Sequence, residues 1–184
     1  GIGFQLKYIV SNLAPKSAVD GSDAGTGMSG GFDIGMLWKP SKLDLFGWDI
    51  SKKVSLGFNL QNVGPKVTYR KEADPLPTNL RVGTAFNLFE DDYNFLRLAI
   101  DLSKTLVYRD SLGSDPVPKS FVTAWKNHGI ESSIGFEYWY KYNSQPLFAL
   151  RGGYFSEPAK LGDRKYFTFG AGVKYNIFNI DMSF

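Results

Sequence analysis

The chain has 184 residues, enough for one ordinary domain, and is rich in Phe (15), Tyr (10) and Gly (20). Twenty-one Lys and Arg against 18 Asp and Glu leave a net charge of +3 with no basic run, which argues against a nucleic-acid partner. The lack of Cys excludes a disulfide scaffold, a thiolate zinc site and a Cys nucleophile, and the one His, His128, excludes a two-His metal site.

No segment approaches the ~20 apolar residues of a membrane-spanning helix. The dominant period is two. A first strand is expected over about 3–12. The second alternates Phe32, Ile34, Met36 and Trp38 with Asp33, Gly35 and Leu37. In the third, Val54, Leu56, Phe58 and Leu60 alternate with Ser55, Gly57, Asn59 and Gln61. Leu80, Val82, Thr84, Phe86 and Leu88 mark the fourth, and Leu96, Leu98, Ile100 and Leu102 the fifth. The sixth carries Ile130, Ile134, Phe136, Tyr138 and Tyr140, and a seventh is expected over about 147–155. Phe167, Phe169, Ala171, Val173 and Tyr175 mark the eighth; Phe178, Ile180, Met182 and Phe184 mark the ninth.

These segments are longer than the ~5–6 residues usual in soluble sheets and close to the ~9–11 that cross a bilayer. Their second face is small and polar, chiefly Gly, Ser, Asn and Ala, with Arg81, Arg97, Asp101, Glu137, Arg151 and Lys174 scattered along it. Apolar outward and polar inward is the pattern of a transmembrane β-barrel, whereas a soluble sandwich buries its apolar faces. Trp38, Trp48, Tyr93, Tyr142 and Tyr154 stand near strand ends, where interfacial girdles form. The six charged residues are expected to form a polar network inside the barrel. Ion pairing is a simpler account of Asp101 and Glu137 than an acid/base pair.

The connections are expected to alternate. Those at Glu90–Tyr93, Asn143–Pro146 and Asn176–Ile177 are tight, whereas those at about 13–29, 63–78, 104–129 and 156–165 are long. The connection from Pro40 to Lys52 is intermediate and fits less well. Short periplasmic turns and long external loops have this rhythm. Nine strands would place the two ends on opposite sides, so the chain is expected to be a single partial barrel domain over 1–184, lacking strands at both ends. An opening Gly1, with no initiator Met and no signal peptide, points the same way.

Several catalytic patterns match in letters alone. Gly25-Thr26-Gly27-Met28-Ser29-Gly30 is a G-x-G-x-x-G and Gly27-Met28-Ser29-Gly30-Gly31 a G-x-S-x-G, but neither has a helix after it, and both are expected in a flexible external loop. Asp20, Ser22 and Asp23 lack the spacing and the bidentate Glu of an EF-hand loop. His128 is expected to be an exposed loop residue. The chain is therefore expected to be no enzyme, with no cofactor and no metal.

With the strands placed, their punctuation resembles that of a known family. The residues that carry the likeness are Ile9-Val10-Ser11-Asn12-Leu13, Phe32-Asp33-Ile34-Gly35, Leu60-Gln61-Asn62-Val63-Gly64, Lys66-Val67-Thr68-Tyr69, Leu76-Pro77-Thr78-Asn79-Leu80-Arg81-Val82-Gly83 and Asp101-Leu102-Ser103-Lys104. Further along come Glu137-Tyr138-Trp139-Tyr140, Leu150-Arg151-Gly152-Gly153-Tyr154-Phe155 and Gly162-Asp163-Arg164-Lys165-Tyr166-Phe167. In this order they resemble the PorV/PorQ family of the Bacteroidota type IX secretion system. The resemblance implies an all-β, FadL-like antiparallel barrel in the cell outer membrane, of which this chain would supply the C-terminal part. It also implies partners: the translocon barrel, cargo C-terminal signal domains, a surface attachment complex and membrane lipid.

Within the longest loop, Tyr108 and the pair Phe121 and Trp125 are the candidate partner-binding residues. The pair stands at i,i+4 on one face of a short helix, where it serves either to cap the interior or to dock a partner. The alternative function is a FadL-like pore for hydrophobic small molecules, against which the charged inner face counts. A soluble β-sandwich binding module is a third reading.

Overall fold

The computed structural model describes residues 1–12, 26–69, 72–110, 113–126 and 129–184. Nine antiparallel strands form one sheet: β1 (Ile2–Asn12), β2 (Thr26–Trp38), β3 (Val54–Val63), β4 (Asn79–Glu90), β5 (Asn94–Thr105), β6 (Glu131–Tyr142), β7 (Gln145–Ser156), β8 (Lys165–Tyr175) and β9 (Phe178–Ser183). Their order in the sheet is their order in the chain, so every neighbour is a sequence neighbour. The sheet is open, with β1 and β9 as its edges. Two-stranded ribbons occupy Asp44–Leu45 with Trp48–Asp49, Val67–Tyr69 with Glu72–Asp74, and Arg109–Asp110 with Gly113–Ser114. The one α-helical segment among the described residues is the single turn α1 (Ser120–Thr123). No helix there is long and apolar enough to cross a membrane.

The tight turns have local causes. Asn143 and Ser144 both take positive φ, 49° and 60°, so a two-residue turn matches the right-handed twist of the strands it joins and sets Tyr142 opposite Gln145. Asn176, at φ 54°, starts the turn that pairs Tyr175 with Phe178. Between β4 and β5 the Asp91 carboxylate accepts from the amides of Tyr93 and Asn94, at 2.8 and 2.6 Å, and these bonds hold its carboxyl below the usual range. Pro146 falls inside β7 opposite Lys141, where the register shifts and a missing N–H is tolerated.

The chain divides into two compact units. The first comprises Gly1–Met36, Phe58–Arg81 and Lys104–His128, and holds three long connections. Five of the buried apolar residues, Val63, Val67, Leu76, Leu106 and Ala124, belong to it. The strands beside them are turned the other way round: on β1, Phe4, Leu6 and Tyr8 are exposed, while on β2 Ser29 and Asp33 are buried. Gly64 lies so close to β2 that a side chain there would strike the Gly30 carbonyl and stand 3.0 Å from the Leu76 methyl.

The second unit comprises Leu37–Gly57, Val82–Ser103 and Gly129–Phe184. Large apolar side chains are exposed here too, although β9 at the sheet edge is exposed along its whole length. Phe167, Phe169, Val173 and Tyr175 on β8, and Phe178, Ile180 and Met182 on β9, are exposed. On β7, exposed Leu150 is next to Ala149, whose side chain is wholly buried on the other face. Ring pairs Tyr154–Phe167 and Phe155–Tyr166 tie β7 to β8, with centroids 4.9 and 5.1 Å apart. Of the aromatic residues near strand ends, Trp38, Tyr93 and Tyr142 are exposed and Tyr154 is half-buried.

Two expectations change. Gly27-Met28-Ser29-Gly30-Gly31 is strand, not flexible loop, because the whole of Thr26–Trp38 pairs with β1, Asn12 opposite Thr26 through Ile2 opposite Met36. The intermediate connection at 40–52 carries a small ribbon of its own, which explains why it is longer than the other turns of its parity. Asp20, Ser22, Asp23 and His128 lie outside the described residues. Gly64→Val is expected to destabilise the fold by ~1–3 kcal/mol through overpacking. Gly3→Val, at a position with open space around it, should be neutral; urea unfolding midpoints of the two variants check this.

Candidate functional site

The second unit gathers several charged side chains on one face of its strands. Glu137 on β6 stands directly opposite Arg151 on β7, and the Arg151 Nε donates to its carboxylate at 2.7 Å. The other end of the same guanidinium donates to Asp181 on β9 at 2.5 Å. To do so it crosses β8, and β8 presents Gly170 and Gly172 there: Gly170 pairs with Arg151 and Gly172 with Asp181. A side chain at Gly172 would come within 3.1 Å of the guanidinium and overlap the Asp181 carboxylate. One arginine thus joins three strands because the fourth has no side chain in its way.

The row continues on β5 and β4. Arg97, opposite Glu137 in the β5–β6 register, donates to Asn87 at 3.0 Å and lies 4.9 Å over the Phe95 ring. Arg151 covers Trp139 at 5.3 Å, and Lys141 stands 5.8 Å from Phe95, so an aromatic shelf underlies the cations. Asp101 projects over Gly83, where the missing side chain leaves it room. Arg97, Asp101, Glu137, Arg151 and Asp181, with Ala99, border a concavity of about 650 Å³. Of the six expected network residues, the structure joins Glu137 with Arg151 and sets Arg97 and Asp101 in the same concavity. Lys174, exposed opposite Asn179, has no ion pair among the described residues, and Arg81 falls in the first unit. Asp181 was legible only as a polar alternate of a short strand.

The first unit has a polar node that periodicity does not announce. Lys7 on β1 pairs with Asp33 on β2 at 2.7 Å. The Asp33 carboxylate also accepts from the Asn62 amide at 2.8 Å, while the Asn62 side chain accepts from Lys7 at 2.7 Å and donates to the Pro77 carbonyl. Buried Thr78 donates to the Asn62 carbonyl at 2.8 Å, and its own carbonyl accepts from the Leu106 amide at 2.7 Å. Asn62 turns the chain through a positive φ of 56° at the end of β3, which Asn tolerates. Three strand ends and two long connections are fastened here, and no catalytic arrangement of nucleophile and base results. Among the described residues no group of three metal-ligating side chains occurs.

The candidate partner residues sit on the connection after β5. Its helical turn buries Ser120 and Ala124, and Ala124 donates back to the Ser120 carbonyl at 3.0 Å. Phe121 and Tyr108 are half-buried, whereas Val122 and Trp125 are 72% and 55% exposed. The buried Lys104 ammonium lies 5.2 Å from the Trp125 ring. An ion pair between Lys119 and Asp115 at 2.8 Å spans one turn of the same segment.

On the connection after β7, Arg164 clasps the buried Glu157 carboxylate through two bonds, 2.6 and 2.9 Å, and holds that carboxyl below its ordinary range. Because the folded pKa is lowered, this contribution is complete above the ordinary value of 4.5 and fades as pH falls through the lowered one. The protection factor of the Glu157 amide, its exchange rate relative to the intrinsic rate at the same pH, should therefore fall on acidification, and Arg164→Gln should remove that dependence. Gly172→Val should lower stability by ~1–3 kcal/mol. Asp181→Asn should add little in that background, and a full additive loss in the double-mutant cycle would mean that the arginine does not bridge.

A comparison with curated proteins returns no match. A family model, described as type IX secretion system protein PorV, matches residues 2–111. That span, more than half of the chain, runs from β1 into the connection after β5 and contains the node of Lys7, Asp33, Asn62 and Thr78. The chain belongs to the PorV family of type IX secretion system proteins.

Proposed function

We propose that the chain forms part of the wall of a closed, FadL-like outer-membrane β-barrel that acts by binding partners in type IX secretion. In this reading it receives cargo at the translocon barrel by the cargo's C-terminal signal domain and hands it to a surface attachment complex. The observation that carries the proposal is the inverted sheet within a family of secretion components. Phe4, Leu6, Tyr8, Phe167 and Phe169 are 64–88% exposed, a distribution that water penalises and lipid favours. The polar alternates engage one another in ion pairs, Lys7 with Asp33 and Arg151 with Glu137, as the wet side of a barrel wall would.

The partner-facing surface is the connection after β5. Val122 and Trp125 offer an exposed aromatic and aliphatic anchor on a turn made rigid by buried Ser120 and Ala124, with Tyr108 and Phe121 beside it half-buried. Phe121 serves the cap and Trp125 the partner.

A mild-detergent pull-down of the full-length protein from native outer membranes tests the proposal. Recovery of a large translocon barrel, or of secreted proteins that keep their C-terminal domain, is expected; a lone barrel carrying fatty acid would replace the shuttle with a pore. Trp125→Ala should reduce that recovery without altering assembly. Leu98→Arg should impair assembly by ~2–4 kcal/mol near the midplane, and Ala99→Arg, on the inner face, should be milder. Equal assembly defects in heat-modifiability gels would mean that the faces are misassigned.

A further inference from the structure

The inner face of β2 is bare from Gly27 to Gly31, and the long connection 64–78 occupies the space. An ideal Cβ at Gly27 would lie 2.5 Å from the Val67 side chain and 2.8 Å from the Tyr69 ring. At Gly31 it would lie 3.3 Å from the Leu76 methyl. Between them the Ser29 hydroxyl donates to the Pro65 carbonyl at 2.8 Å. Val67, Leu76 and Ser29 are all buried, while Met28 and Phe32, on the opposite face of the same strand, are exposed. The connection therefore folds over the polar face, the one that carries Asp33, and not outward. A run of small residues whose missing side chains are replaced by a loop's apolar ones is a seat.

A second connection holds the first in place. Arg109 pairs with Asp74 from ribbon to ribbon, and the Lys66 ammonium donates to the Ser114 carbonyl. The Leu106 amide adds its bond to Thr78 at the end of the seated segment. The contact is apolar at the seat and ionic at the exposed rim, so it is dry where it packs and sensitive to charge where it is fastened.

We infer that residues 64–69 and 72–78 form a resident plug, seated in the small-residue lane of β2 and strapped by Leu106, Arg109 and Ser114 of the next long connection, which closes the interior on that side. The inference rests on the barrel reading. It goes beyond the shuttle proposal, because it makes the interior a closed space whose opening requires the strap to be released. A hydrophobic solute then has no through passage while the plug is seated.

The test uses the full-length protein in a cysteine-free background. Val67 and Ala73 share one small ribbon; Val67 points into the seat and Ala73 is exposed. With a bulky impermeant maleimide on outer-membrane vesicles, Val67→Cys should label about tenfold or more slowly than Ala73→Cys. Gly27→Leu should bring the Val67→Cys rate up towards that of Ala73→Cys. The wild-type protein should pass no steady ion current in planar bilayers. Equal labelling of the two cysteines in a protein that keeps its heat-modifiable gel mobility would overturn the plug and leave the barrel standing. Steady current through the wild type would overturn it as well. Loss of heat-modifiable mobility by the wild type would instead contradict the barrel. Should Gly27→Leu fail to assemble, the labelling pair and the current decide without it.

Discussion

Antiparallel pairing satisfies the backbone groups between nine strands from neighbour to neighbour, and the side chains are then free to put apolar residues on an exposed face and polar ones on the other. The rest of the molecule follows from that freedom. With large apolar alternates on one face, the sheet has little apolar to bury on the other, and that face is filled by ion pairs, glycines and loops. Each unit shows a different solution. In the second, Arg151 reaches Glu137 and Asp181 across the glycines of β8. In the first, loop residues form the small apolar core and a polar node fastens it to the strand ends.

Glycine has an architectural role in both. Gly170 and Gly172 open a path for a long side chain, whereas Gly27 and Gly31 open a seat for a whole connection. In both places the missing Cβ permits close approach, and composition alone reports only that glycine is abundant. An interior ion pair of this kind orders the face more than it stabilises the fold, since each group gives up water to make it. Arg151 is well placed for ordering: its two carboxylates come from strands that do not touch each other.

Much of the fold was legible because period two is a strong signal over strands of this length. All nine strands lie close to where the alternation put them, and the turns at Asn143-Ser144 and Asn176 fall on residues that tolerate positive φ. The segment from Thr26 to Gly31 was not legible: its glycines and serine have poor strand propensity, and pairing with β1 overrides it. The site was less readable than the fold. Glu137 and Arg151 could be put on one face, but the reach of Arg151 to Asp181 depends on a gap in an intervening strand. The node of Lys7, Asp33, Asn62 and Thr78 draws on four separated segments, each unremarkable by itself. Phe121 and Trp125 suggested a helical face, yet the turn buries Ser120 and Ala124 and exposes Val122, because the two small residues allow the closest approach to the loops beneath.

The central claim is that one face of the sheet meets lipid and the other a polar interior. It is tested most directly by scanning nitroxide labels along Asn94–Thr105 in the full-length protein in bilayers and measuring collision with oxygen against a polar nickel chelate. The account predicts an alternation of period two, with oxygen favoured at 96, 98, 100 and 102 and disfavoured at 97, 99, 101 and 103. A flat profile, or oxygen preference at the odd positions, would contradict it.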